Sequence, residues 1–485
     1  MKMTQTAAVF AALMLGLVAL GPSATRAEIL SIEDHLALEV GSTSEWEGGD
    51  YVALNMTKGD STAWFGVVYG NETHSNSVTI VSAHLRFLGG AEIRNADGAM
   101  MVPATGIPVL TIYVQKLALL IEFSDTGYLE PFSGELTGAD NGLFDFQNAG
   151  CSIDDFALGS IEPVHKILDL NRSWERSEIE ETRTLGTTEK EWTFTLSAKN
   201  SLYSKIWDNQ PPVNDDGSRP GEESDGKVHD VAFQFHIGTV LDEYSVEVPW
   251  YRVTYDDGRP IASSEMAPKI YNGTSLTTEF KFDHWINGWD YQSENNLLML
   301  EAFTAFGTFI PTFVQNWLDV QFINATAGQD IGIAELETFT GGDTDITATD
   351  DIPAESTRLT KDNIIFRDSW QKVGEMSWVS NVTVDNTEKE MYFQIHAGQN
   401  LDMEGENHDG YLHGIFFLGG YVYPMGHDIF HDPSYTSHAL FLDIGVNMGA
   451  LEVLGGILIL TMMVGVVTSV IVLSVLALRK TKIRY

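Results

Sequence analysis

Near the end of this 485-residue chain, six of its 13 histidines, His396, His408, His413, His427, His431 and His438, fall beside Glu404, Glu406, Asp409, Asp428 and Asp432. Imidazole with carboxylate is a donor set for zinc or copper. The candidate ligands are therefore His427, Asp428, His431, Asp432, His408 and His413. The run His427-Asp428-Ile429-Phe430-His431 has the spacing of the zinc-protease motif H-E-x-x-H, with Asp in place of Glu. That motif needs a helix to bring both imidazoles to one face. Here Gly426 precedes the run, Asp432-Pro433 follows it, and the neighbouring GIFFLGGYVYP reads as strand. Turn or surface histidines are the simpler reading.

Calcium is the natural partner of acidic loops outside a cell, because hard cations prefer several oxygen ligands. Asp140, Asn141 and Asp145, and Asp343, Asp345, Asp350 and Asp351, are the candidates, although none fits the D-x-[DN]-x-[DN]-G loop with its distal Glu. Trp250, Trp285 and Trp289 stand near carboxylates and could stack on sugar rings, though tryptophans on strands more often anchor a core. Six N-x-[ST] sequons fall at Asn55, Asn71, Asn171, Asn272, Asn324 and Asn381. The sequence has no G-x-S-x-G elbow, no P-loop, no dinucleotide glycine pattern and no Cys-based metal spacing. The single cysteine, Cys151, sits next to Asp154 and Asp155, a setting that disfavours a thiolate.

The elements that must position these residues read as strands. Runs rich in Val, Ile, Phe, Tyr, Trp and Thr, punctuated by Gly, Asn, Asp and Pro, predict strands at 63–69, 78–87, 109–123, 192–198, 231–240, 248–255, 391–397 and 414–423. The apolar run 297–318, whose only charge is Glu301, would suit a membrane-fusion segment, but buried strands explain it more simply. TEKEWTFTLSA at 188–198 recurs as TEKEMYFQIHA at 387–397, which points to an internal duplication. The expected fold is mostly β: two or three antiparallel sandwich-like domains plus one C-terminal transmembrane helix. The expected divisions are an N-terminal domain at 28–160, a middle domain at 161–342 with an acidic loop at 209–226, a linker at 343–357 and a His/Asp-rich domain at 358–447.

The ends set the expected topology. Residues 1–27 have the basic start, apolar stretch and small-residue exit of a signal peptide cut after Ala27. Residues 453–478 carry no charge and are long enough to span a bilayer, and the basic tail 479–485 stays inside. Of 28 basic residues six lie at these two ends, so against 68 acidic ones the outer portion carries about −46. Such a field disfavours nucleic acid and anionic lipid, while 44% hydrophobic content supports folded cores.

In plan, the chain resembles archaeal cell-surface glycoproteins: signal peptide, acidic cysteine-poor β-domains with sequons, one membrane helix and a basic stop. The resemblance implies a non-enzymatic plasma-membrane protein with its bulk outside, an envelope component or an adhesion module meeting other surface proteins or glycans. The alternative is a tethered glycan- or peptide-binding or hydrolytic protein with a metal or Trp-lined site. Calcium, and less so zinc or copper, are the ions either reading admits.

Overall fold

The structure, a computed structural model, describes residues 26–442 apart from 34–35, 44–48, 59–60, 126–127, 130–135, 138–141, 145–163, 186–188, 199–204, 207–229, 257–258, 312–334, 339–345, 348–356, 360–361, 369–370 and 405–409. The described residues are mostly β, and 25 strands join in one hydrogen-bonded network. No helix among them is long and apolar enough to cross a membrane. The expected span at 453–478 and nearly all of the expected signal peptide lie outside the described residues.

Two runs of strands make two layers. In the first, the hydrogen-bonded order is Arg26–Glu33, Leu36–Thr43, Gly49–Lys58, Ser61–Tyr69, Val78–Asn95, Met100–Ser124, Asn296–Pro311, Gly410–Tyr423 and Tyr392–Glu404, antiparallel at every pairing. In the second, Glu180–Leu185, Glu189–Ala198, Asp230–Asp256 and Arg259–Asn287 follow one another. The last of these pairs along its far edge with Ser434–Leu442 and then Asp428–His431. Gln371–Ser377, Asn363–Asp368 and Glu335–Thr338 extend this layer further.

Side-chain parity brings the layers together. Glu189–Ala198 buries every second residue, so Trp192, Phe194 and Leu196 face inward and the alternate positions meet solvent. The centre of the first layer is apolar on both faces, as the unbroken run at 109–123 suggests. Its inner face joins the main core, and its outer face buries Val81, Ile112, Ile121 and Met299 in a second cluster, where Phe144 packs on Phe123 at 5.0 Å. Between the layers, Tyr113 stacks on Tyr435 at 3.7 Å, Phe306 meets Phe366 at 5.0 Å and Trp378 meets Phe393 at 5.0 Å. Each such aromatic ring removed from water contributes about 1.5–3 kcal/mol.

The expected segments interleave. Asn296–Pro311, from the middle one, lies between Met100–Ser124 from the first and Gly410–Tyr423 from the last, and one core cluster runs from Leu36 to Phe441. The expected boundary near 160 lies outside the described residues, as does most of 343–357, within which Ile346–Thr347 pairs with Glu337 and Thr338. The run at 297–318 overlaps a central strand, Asn296–Pro311, that is buried over 298–308, with Glu301 fully buried, while 312–318 lie outside the described residues. Of the repeated phrases, Glu189–Ala198 lies in the second layer and Tyr392–Glu404 in the first.

A four-stranded finger projects from the layers. The far halves of Val78–Asn95 and Met100–Ser124 form one hairpin, and those of Asp230–Asp256 and Arg259–Asn287 another. Residues 90–95 pair with 250–255 in parallel, so both hairpin turns lie at the same end. Gly90 packs against Trp250 so closely that an added Cβ would lie 2.3 Å from the indole. Lys269 Nζ sits 3.3 Å from the Trp250 ring centre, and Arg94 and Arg252 both hold Glu92.

Candidate functional site

The His427–His431 run folds as strand because of its neighbour. Asp385 and Asn386, with φ of 50° and 62°, form the two-residue turn between Asn381–Val384 and Thr387–Glu390, the left-handed pair that Asp and Asn tolerate in a tight hairpin. Asp385 Oδ1 then accepts the backbone N–H groups of His427 and Asp428, each at 3.0 Å. Strand Asp428–His431 alternates outward and inward, leaving His427 and Asp428 exposed and His431 buried. The run therefore does not bring its two imidazoles together. Asp432 takes a different partner, Lys281 Nζ at 3.1 Å. His413 lies in the strand Gly410–Tyr423, while His408 lies outside the described residues. No group of three or more His, Cys, Asp or Glu that could hold a metal occurs among the described residues. All seven calcium candidates, Asp140, Asn141, Asp145, Asp343, Asp345, Asp350 and Asp351, lie outside them.

Trp289 meets His427 and Asp428 in one network. The loop after Arg259–Asn287 starts at Gly288, φ +72°, whose N–H bonds Asp428 Oδ1 at 3.2 Å. His427 Nδ1 donates to the Trp289 carbonyl at 2.9 Å, and the Trp289 N–H returns a bond to the His427 carbonyl at 3.1 Å. The indole Nε1–H reaches across to Glu122 of the first layer at 3.2 Å, and the Gln292 N–H and Asn296 Nδ2 complete that carboxylate's donors. Lys166, opposite Glu122 in the register, bonds the Asp290 carbonyl. Trp289 and Trp250 are 0% and 1% exposed and offer no face to a sugar ring. Trp285 is 39% exposed, against Phe430 at 4.5 Å. Of the sequons, Asn171, Asn272 and Asn381 are exposed, Asn55 and Asn71 are half-buried and Asn324 lies outside the described residues. The Asn71 amide already donates to Asp50 at 2.7 Å.

Between the layers a second set of polar groups is sealed in. His284 Nδ1 lies 2.7 Å from the Tyr423 hydroxyl, which lies 3.3 Å from His431 Nδ1, and His431 Nε2 lies 2.9 Å from the Val379 carbonyl. A carbonyl only accepts, so His431 carries its proton on Nε2. A neutral ring then accepts at Nδ1 from the Tyr423 O–H, and the Tyr423 oxygen accepts from His284 Nδ1–H. His284 Nε2 is left bare, buried and without a hydrogen bond. Burial holds His284 well below the ordinary histidine range, helped by His431, and brings His431 down to about 4.

Further along the interior, Ser82, His84 and Arg86 alternate inward on one strand and Thr111 and Tyr113 on the next. With Tyr435 and Ser437 of the second layer, Ser82, His84, Thr111 and Tyr113 line a cavity of about 10 Å³, the room of one water. Neither His84 ring nitrogen makes a hydrogen bond of normal geometry, and Arg86 donates from Nε to Thr111 at 2.9 Å. Burial first, then the Arg86 charge, pushes His84 down to about 3, only partly offset by the Leu440 backbone. These groups are too enclosed to admit a substrate.

On the outer face of the second layer, Asp283 and Asp432 stand together with Lys281 and His236. Partial burial, then the Asp432 charge, raises Asp283 to about 6.

The residues that sequence reasoning passed over, Glu122, Lys166, His84, Arg86, His284 and Tyr423, share one signal: a polar side chain at the inward position of a strand. Compared by sequence, the chain matches no family model and no curated protein.

Proposed function

We propose that the chain is a non-enzymatic, membrane-anchored cell-surface protein whose outer portion, a β-sandwich, serves as an envelope component or as an adhesion module meeting other surface proteins or glycans. The supporting observation is the placement of its reactive side chains. The His284–Tyr423–His431 relay and the His84 chamber are hydrogen-bonded or packed between the layers, and burial holds their imidazoles neutral. The Trp289, His427 and Glu122 network joins a loop to both layers. These groups specify how the layers meet; they are not presented to a substrate. The Trp-lined alternative loses support because Trp250 and Trp289 are buried.

The test is protease shaving of intact cells producing the chain with an epitope after Tyr485. The outer portion should be released by external protease, leaving a short membrane-retained fragment that carries the epitope. A chain fully protected until the cells are lysed would overturn the reading.

A further inference from the structure

The finger ends in apolar side chains that the rest of the molecule leaves uncovered. Met100 and Met101 are 48% and 49% exposed, and Ile261, on the adjacent hairpin, is 53% exposed. Successive strand residues point to opposite faces, so exposure of both methionines opens both faces at this end. The tip is well formed: Ala99 N–H bonds Asn95 Oδ1 at 2.7 Å, and Gly98, φ +82°, bonds the Asn95 carbonyl at 2.9 Å.

Chain direction tells what lies beyond. Arg259–Asn287 runs away from the tip and Ser434–Leu442 is antiparallel to it, so the chain leaves Leu442 heading toward the tip. Leu442 is level with Gly273 and hence with Tyr244, and it packs with Phe87 and Trp250 at the finger's base. From Tyr244 to the turn after Asp256, the remaining finger is about 40 Å at a strand rise of about 3.3 Å per residue. Residues 443–452, counted from Leu442 to the first residue of the apolar run at 453, can reach at most about 36–40 Å. The start of that run and the tip can therefore stand at one level.

We infer that the finger tip seats Met100, Met101 and Ile261 in the outer leaflet of the membrane that holds the chain. This rests on the reading of 453–478 as a membrane span. Three side chains bind a bilayer weakly by themselves, but tethering at the same level makes their insertion intramolecular, with a high effective concentration. Near the tip Arg94 and Arg252 hold Glu92 and offset most of the charge of Glu92, Asp97 and Asp256, and this small net charge makes uncharged headgroups the suitable surface.

The full chain, with Cys151→Ser and Met101→Cys carrying an environment-sensitive fluorophore, would be reconstituted into phosphatidylcholine vesicles with and without nitroxide-labelled lipid. The inference expects a blue-shifted, several-fold brighter signal that nitroxide lipid quenches, and no quenching from the same probe at Glu175→Cys, at the opposite end of the layers. With Met100, Met101 and Ile261 all replaced by Asp and the probe moved to Ala96→Cys, the quenching seen there in the parent should be lost. If the chain resists alkaline carbonate extraction yet the tip probe is never quenched, the tip inference is overturned and the span reading survives. If carbonate releases the chain, both fall. Cross-linking of Met101→Cys between copies without lipid quenching would make the tip a self-association contact and likewise overturn the inference.

Discussion

Acidification should destabilise this fold through its buried histidines. An unfolded imidazole takes up a proton near pH 6.5, whereas His431 and His84 hold out to about 4 and about 3, and His284 is also held well below the ordinary range. Between these limits the unfolded chain binds protons that the folded chain refuses. The stability these groups contribute is complete above pH 6.5 and falls as pH drops toward the folded-state values. Each contributes a slope of up to about 1.4 kcal/mol per pH unit, and the three together about 4. Two pH units then consume much of the 5–15 kcal/mol typical of a folded domain. Asp283 works the other way, because its raised value lets the folded chain take a proton before the unfolded one below about pH 6, but solvent screening holds this to about 1 kcal/mol. The assay is urea unfolding of the detergent-solubilised full chain at pH 7, 6 and 5, for the parent, His84→Gln and His431→Gln. Each variant should flatten the slope between pH 6 and 5 by about 1 kcal/mol per unit. Slopes identical to the parent's in both variants would refute the reasoning, since the acid sensitivity would then come from other groups.

Other substitutions probe the contacts separately. Trp289→Phe keeps an aromatic ring, smaller than the indole, but removes one of the donors to Glu122, and should lower stability by about 1–3 kcal/mol in a thermal melt. Asp385→Ala removes the acceptor of two backbone bonds, so hydrogen exchange at the His427 and Asp428 amides should accelerate, with a loss of about 1–2 kcal/mol. Asp283→Asn removes a carboxylate that is ionised at a cost above its value of about 6; it should stabilise the chain at pH 8 by about 1 kcal/mol and lose that advantage at pH 5, as urea titrations would record. Gly90→Ala forces a methyl against the Trp250 indole and should cost about 1–3 kcal/mol, read as a lower melting temperature with a red-shifted tryptophan emission.

Much of the β content was legible, for identifiable reasons. Each strand expected at 63–69, 109–123, 192–198 and 414–423 lies within an observed one, because apolar β-branched and aromatic residues there fill a two-sided or inward face. The runs at 231–240 and 248–255 are parts of a single strand, Asp230–Asp256. The intervening Asp242, Glu243 and Ser245 suggest a turn by composition, yet they lie on finger strands with exposed side chains, where polarity carries no information about turns. The site was harder to read. His427 and Asp428 belong to a network, but as supports of a loop, which depends on Glu122 and Asp385, at 305 and 42 residues' remove from His427. Tryptophan type gave no hint of which ring is exposed; only the register shows that Trp285 points out while Trp289 fills the junction.

The parallel pairing of residues 90–95 with 250–255 constrains the order in which the chain can fold. Met100–Ser124 likewise needs Asn296–Pro311 at its other edge, which in turn needs Gly410–Tyr423. The first third of the chain therefore carries long apolar strands whose partners are synthesised much later. Such sequence-distant pairing is slow and leaves unpaired edges open to aggregation. Folding should succeed only if the early strands are kept apart until nearly all of the chain is available, and a truncated product ending before residue 410 should be degraded and should not accumulate as a stable fragment.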